Sequence, residues 1–337
     1  MAASTITGVA YALGTETVSQ EQLSERFGEA AMQKVLSGSG IRSRRIAAEG
    51  VCGSDLAFDA AETLLARQAV DRQSIDLLIH CTQTPDYLMP TTACLLQERL
   101  KLPTRCAAFD INLGCSQYVY ALSVAHSMIA AGVAHRALVL TGDTMSRTVN
   151  ELDRALMPII GDAGSATLVE PPADGGGFLG FELGTDGSGA KYLIMPVSGF
   201  RQRRSAQTCI AEPDSEGSLR SAENMYMHGA AVFQFVITTV PKTIQSLLGR
   251  LNLAMEDVDL FLFHQPNKFI LDYLIKKLKI GPEKTHIFVE EIGNTSGSAL
   301  PVVLAEAMAA GKVKPGARVL LMSFGVGLSW GATLWQA

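Results

Sequence analysis

Residues 111–132, INLGCSQYVYALSVAHSMIAAG, lie over residues 290–311, EEIGNTSGSALPVVLAEAMAAG, at a constant offset of 179. Gly114 falls on Gly293, Cys115 on Asn294 and Gly132 on Gly311. Upstream, IDLLIHC (75–81) resembles VDLFLFH (258–264); downstream, RALVL (136–140) resembles RVLLM (318–322). Offsets that differ by a few residues are what loop insertions produce. Each half repeats the order strand, glycine turn, long helix, strand, and this is the mark of a duplicated unit.

The strands themselves are short runs rich in Val, Ile and Leu, at 75–81, 107–111, 137–141, 260–264, 287–289 and 319–324. Being apolar on both faces, they suit the central strands of sheets covered by helices, and their alternation with helical stretches gives an α/β class. The region 171–220 fits neither half. Its ADGGG, GTDGSG and FRQRR stretches read as an insertion of loops and edge strands. The chain thus divides into a first half, 1–172, carrying Cys115, a loop-rich insertion, 173–222, and a second half, 223–337, carrying His264 and Asn294. Pro241 predicts a break or a new helix start in the helical stretch that resumes at Glu223.

Composition narrows the class further. At 337 residues, 47% hydrophobic and 18% charged, with mean hydropathy +0.20, the chain is too apolar to be disordered and long enough for two fused units. Its net charge is −5 and its basic residues are scattered, which disfavours nucleic-acid binding. No apolar run reaches membrane-spanning length. The first residues, MAASTITGVAYALGTE, lack a basic leader and read as a short strand, so the expected location is cytoplasmic. The six cysteines show no CxxC spacing, so neither a zinc site nor a disulfide framework is expected.

Cys115 follows Gly114 at a strand-to-helix turn, and the helix after it carries no Asp, Glu, Lys or Arg. A helix apolar all round is buried at the centre of a molecule. Its first turn aims unpaired N–H groups and partial positive charge at the sulfur, which predicts a stabilised thiolate. A free cysteine is otherwise a small buried apolar residue, and that reading suffices for Cys52, Cys81, Cys94, Cys106 and Cys209. His264 ends the strand DLFLFH, at the carboxyl edge where α/β sheets present reactive groups. A histidine there is otherwise a hydrogen-bonded core residue, as His80, His126, His135, His228 and His286 are taken to be. Asn294 occupies the place of Cys115 in the repeat, so a pseudo-two-fold packing of the halves would bring the two turns to one cleft. On its own an Asn before Thr-Ser is a helix cap. The glycine-rich FGVGLSWG (324–331) could bring backbone N–H groups close to an oxyanion.

Taken in order, DINLGCSQYVYALS, HQPN, GNTSGSALP and FGVGLSWG resemble the β-ketoacyl-acyl carrier protein synthase III family of the thiolase superfamily. The resemblance runs nearly end to end, from GIRSRRIA (40–47) through LDRALMPIIGDAGSATLV (152–169) to the last strand. It implies a five-layered αβαβα fold of two like halves, a homodimer, and a site in which Cys115 is the nucleophile. His264 and Asn294 would be the decarboxylation pair, and the backbone N–H groups of Cys115 and Val326 the oxyanion hole. The implied reaction is acyl transfer to Cys115 followed by decarboxylative Claisen condensation with a malonyl thioester. It uses no metal or organic cofactor, and acyl carrier protein is the implied partner. Arg154, Asn267 and Lys268 would contact the substrate or carrier, and Met89 would reach into the partner's acyl pocket.

Several positions depart from the family pattern. Lys34 and Gly38 stand where relatives that use coenzyme A have a Trp and an Arg, and Phe269 replaces an Arg, so a carrier-protein donor is favoured. Gln117 and Val326 could reshape the pocket. Lys268, Lys276, Lys277 and Lys279, with Arg201, Arg203 and Arg204, form either a carrier-docking patch or a solvated face. The implied role is in a specialised fatty-acid or polyketide-type pathway. The alternatives are a non-decarboxylating acyltransferase of the same fold, or a non-catalytic partner subunit of a heterodimeric synthase.

Overall fold

The computed structural model describes residues 4–173, 175–215 and 217–337. A first sheet contains Thr5–Leu13 (β1), Leu77–Cys81 (β2), Ala107–Ile111 (β3), Ala137–Asp143 (β4) and Ala163–Glu170 (β5), in the spatial order β1-β5-β4-β2-β3. A second contains Gly177–Thr185 (β6), Leu260–Phe263 (β7), Arg318–Gly325 (β8) and Ser329–Gln336 (β9), in the order β7-β8-β9-β6. Pairing is antiparallel for β1·β5 and β5·β4, then parallel for β4·β2 and β2·β3. The second sheet repeats this, with β6·β9 and β9·β8 antiparallel and β8·β7 parallel. The four strands of the second sheet repeat the order and senses of pairing of β1-β5-β4-β2, which makes the two halves structural repeats, with β3 lacking a counterpart among the described residues. β6 lies inside the stretch read as loops and edge strands, and it forms an edge of the second sheet.

The run at 287–289 does not form a strand. Only Thr285 bridges, parallel, to Phe261 on β7. The next backbone donor, Phe288 N–H, goes instead to the side-chain oxygen of buried Gln265 at 3.0 Å, so this segment lies beside the sheet without laddering onto it. Every other strand expected from the sequence is present.

Six helices make the covering and central layers: Gly53–Arg67 (α1), Thr92–Arg99 (α2), Gln117–Ala130 (α3), Gly229–Arg250 (α4), Lys268–Leu278 (α5) and Ala299–Ala309 (α6). The strands alternate faces with period two. On β2, Leu77 and Ile79 face the centre while Leu78 faces outward; on β8, Val319 and Leu321 face the centre while Leu320 and Met322 face outward. The central layer is α3 and α6, whose Tyr118, Leu122, Leu300 and Leu304 pack between the two sheets. Outside the first sheet lie α1 and α2, with Ala61, Leu64 and Leu96 against Leu138 and Leu168. Outside the second lie α4 and α5, with Val240, Leu247 and Leu274 against Phe261 and Leu334. The result is the five-layered αβαβα architecture. Both central helices are almost wholly apolar because both of their sides meet a sheet; the one carboxylate, Glu306 on α6, accepts from the Tyr11 hydroxyl.

α4 runs unbroken through Pro241, against expectation. A proline cannot donate to the carbonyl four residues back, here Ile237. The ammonium of Lys277 on α5 reaches that carbonyl at 2.7 Å, so the bond missing from the helix is replaced from its neighbour.

Candidate active site

The turn before α3 and the turn before α6 meet, as the repeat implied. Cys115 Sγ lies 4.0 Å from Ser296 Oγ, across 181 residues of chain. Behind the sulfur runs β8, and the turn after it brings the backbone of Val326 to the Cys115 sulfur as a hydrogen-bond donor, together with the N–H of Cys115 itself. Asn294 is held through its backbone: its N–H donates to Ile159 O at 2.7 Å and its carbonyl accepts from Gly161 N–H at 2.9 Å. Its side-chain oxygen accepts from Ser296 N–H at 3.0 Å, an Asx turn that turns the carboxamide and leaves its NH₂ as the uncommitted end.

Cys115, Asn294, Ser296 and Val326 line a single cavity of about 620 Å³. The rest of its wall is mostly apolar, with Met145, Leu156, Ile159, Ile160, Leu193, Met195, Met225 and Met227. Such a chamber suits an apolar group presented to the sulfur.

The sulfur is not held as a thiolate at rest. Cys115 keeps a little surface open to the cavity, yet protein surrounds it densely enough that burial pushes its thiol up to about 11. Ser296 and the N–H groups of Val326 and Cys115 pull the other way, and Asp143 adds to the rise. Desolvation thus outweighs the helix N-terminus that the sequence reading relied on.

Asp143 is fully buried beneath this turn. Its carboxylate accepts from Thr82 Oγ1, Gln83 N–H, Thr84 Oγ1 and Gln117 Nε2 at 2.8–3.3 Å. Gln117 in turn packs on Gly297, where a Cβ would fall 1.8 Å from its Nε2. Gln117 therefore shapes the floor of the turn and is not among the cavity-lining residues.

His264 is buried, and its backbone N–H continues the ladder to Met322 O. Its ring stands edge-on to Phe324 at 5.5 Å, and burial pushes its pKa down to about 3, so the imidazole is neutral. Its Nδ1 has no hydrogen-bond partner, and it shares no hydrogen bond with Cys115 or Asn294 among the described residues. It is not among the residues that line the cavity.

The remaining candidates lie apart. Asn267 caps α5, its Oδ1 accepting from Ile270 N–H at 2.9 Å. Lys268 pairs with Asp272 at 2.5 Å. Arg154, Lys34 and Gly38 are on the surface. Met89 is 82% exposed and is not among the cavity-lining residues, although its neighbour Leu88 is. Of the basic residues, Lys277 serves Ile237, Arg204 pairs with Glu223, and Arg203 stacks over Phe200. Among the described residues no group of three or more His, Cys, Asp or Glu side chains has the arrangement to hold a metal. No helix there is long and apolar enough to cross a membrane. Ser296 was missed by sequence reasoning. Its place two residues after Asn294 is the one signal it gave.

Comparison with known proteins agrees with this fold. Residues 109–187 match the family model for 3-oxoacyl-[acyl-carrier-protein] synthase III, and residues 248–337 match that for its C-terminal part. A β-ketoacyl-[acyl-carrier-protein] synthase III of Symbiobacterium thermophilum is 35% identical, covering 97% of this chain and 96% of its own. A crystal structure of a 3-oxoacyl-(acyl-carrier-protein) synthase III superposes with a TM-score of 0.96 at 39% identity, over 99% of both chains. The 3-oxoacyl-(acyl-carrier protein) synthase of Burkholderia xenovorans gives 0.91 at 34% identity, over 99% of this chain and 94% of that one. The chain, built as two thiolase-like halves with their equivalent turns on one cavity, belongs to the 3-oxoacyl-[acyl-carrier-protein] synthase III family of condensing enzymes.

Proposed function

We propose that the enzyme loads an apolar acyl group onto Cys115 and joins it to a malonyl thioester with loss of CO₂. The observation that carries this reading is the convergence of Cys115, the Asn294 carboxamide and the Val326 backbone on one apolar cavity. In the first half-reaction the Cys115 sulfur bonds to the acyl carbonyl carbon, and the donor thiol leaves with a proton. The developing oxyanion is held by the N–H groups of Cys115 and Val326. In the second, the C–CO₂⁻ bond of the malonyl thioester breaks and its electrons form an enolate. Asn294 NH₂ would donate to that enolate oxygen; the family resemblance assigns the second donor to a neutral His264, which in this structure lies against Phe324 and off the cavity wall. The enolate carbon then attacks the acyl carbonyl and Cys115 leaves, giving a 3-oxoacyl thioester.

The cavity volume, within the range of small-molecule pockets, supports an acyl group larger than two carbons. The absence of an aromatic clamp at Lys34 and Gly38 supports a carrier-protein donor over coenzyme A, as a cytoplasmic fatty-acid or polyketide-type pathway would supply. Exposed Tyr87, Leu88, Met89 and Phe200, beside the cavity mouth, support a homodimer in which Met89 closes the partner's cavity. Intact mass after incubation with acyl-carrier and acyl-coenzyme A thioesters of graded length tests the reading. Adducts of more than two carbons, gained faster from the carrier and absent from Cys115→Ala, are expected. Acylation of Cys115→Ala would overturn it, and a monomer in sedimentation would remove the dimer.

A further inference from the structure

Ser296 has a backbone φ of +54°, the left-handed region that side-chain-bearing residues enter at a cost. Glycine would take this conformation freely, yet the glycine of this turn is the next residue, Gly297. It stands there because a Cβ would run into Gln117. The strained position thus carries a hydroxyl. That hydroxyl is buried, lines the cavity, and has Cys115 Sγ, at 4.0 Å, as its one hydrogen-bond partner among the described residues. Strain kept at a site-lining residue points to a chemical use of its side chain.

We propose that Ser296 is a further catalytic residue, whose hydroxyl donates to the Cys115 thiolate whenever that sulfur is free. This rests on reading Cys115 as the nucleophile. Among the described residues no charged donor faces the sulfur: its donors are Ser296 Oγ–H, Val326 N–H and its own N–H, His264 is neutral, and Asp143 opposes ionisation. Ser296 is therefore the one side-chain donor to the charged sulfur among the described residues. Its contact is used twice per turnover, when the thiol ionises before acyl transfer and when the sulfur leaves after condensation. Its backbone N–H meanwhile holds Asn294 Oδ1, so one residue ties the nucleophile to the enolate donor.

Ser296→Ala and Ser296→Gly separate the hydroxyl from the backbone. Both keep the N–H that orients Asn294, and glycine also relieves the strain. The pH dependence of Cys115 alkylation by iodoacetamide, followed on the Cys115 peptide by mass spectrometry, should shift upward by about one pH unit in both variants. The glycine variant should melt no lower than wild type. Acyl loading at neutral pH should slow about tenfold in both, and the deficit should close as pH rises toward the thiol's own range. An alkylation midpoint in Ser296→Gly equal to wild type would overturn the proposal, as would a loading deficit that stays constant with pH. Failure of wild type to load any thioester would instead overturn Cys115 as nucleophile, which the alkylation profile does not touch.

Discussion

Gly325 backs directly onto Cys115: a Cβ built on it would fall 2.6 Å from Cys115 Cβ and 3.0 Å from Sγ. β8 from the second half therefore sets the position of the sulfur from the first. Cys115 cannot retreat, because it sits at the start of α3, packed between two sheets. Gly325→Ala should push the sulfur out of line with its oxyanion donors. Displacement of about 1 Å can cost on the order of 100-fold in rate, and that loss is expected here in acyl loading. Loading followed by intact mass, on protein with an unchanged circular dichroism spectrum, checks it; loading near the wild-type rate would mean the strand does not constrain the nucleophile.

Different half-reactions should report different residues. Cys115→Ala should neither load nor condense. Asn294→Ala should load nearly normally, since its carboxamide has no part in acyl transfer, but release CO₂ from malonyl thioester on the order of 100-fold more slowly. Labelled malonyl carbon reads the second step and intact mass the first. Wild-type condensation by Asn294→Ala would remove it from the site.

Lys277 should matter to stability and not to the chemistry. Lys277→Met leaves the Ile237 carbonyl without its charged donor, and about 1 kcal/mol of stability should be lost, since both groups are near the surface. In a Pro241→Ala background the residue at 241 regains an N–H for that carbonyl, and the same change should cost less. Urea unfolding of the four proteins gives the coupling directly. Equal costs in both backgrounds would mean that Lys277 does not stand in for the missing helix bond.

His80 should make the protein acid-sensitive. It is buried on β2, neither ring nitrogen has a partner among the described residues, and burial pushes its pKa down to about 4, with Asp110 opposing. It is not the hydrogen-bonded core histidine expected from the sequence. Because its folded pKa lies below its unfolded value near 6.5, the unfolded chain takes up a proton first as pH falls. Its contribution to stability is intact above about pH 6.5 and is lost between there and about pH 4, at about 1.4 kcal/mol per unit. His80→Leu should flatten that part of the curve. Identical pH dependence in variant and wild type, measured by urea unfolding from pH 7 to pH 5, would show that His80 is not the group responsible.

The fold was largely legible because its signals are local. Strands apolar on both faces, and two helices with almost no charged residue, can only be layers covered on each side. The offset of 179 residues then placed Asn294 opposite Cys115 before any contact was known. The run at 287–289 misled for a physical reason: its residues suit a strand, but Gln265, distant in sequence, takes the N–H that a ladder would need. Pro241 misled in the same way, since the donor that rescues the helix comes from another helix.

The sequence by itself determined the layers, the repeat, the family and the residues that could react, since each depends on neighbours at fixed spacing along the chain. Tertiary structure decided the chemical state of those residues. The charge on Cys115 and on His264 depends on how much water the fold removes around them, and no neighbouring residue in the chain encodes that. Ser296 belongs to the same class: its conformation and its contact with Cys115 exist only once Gln117, Gly297 and the two halves are packed together.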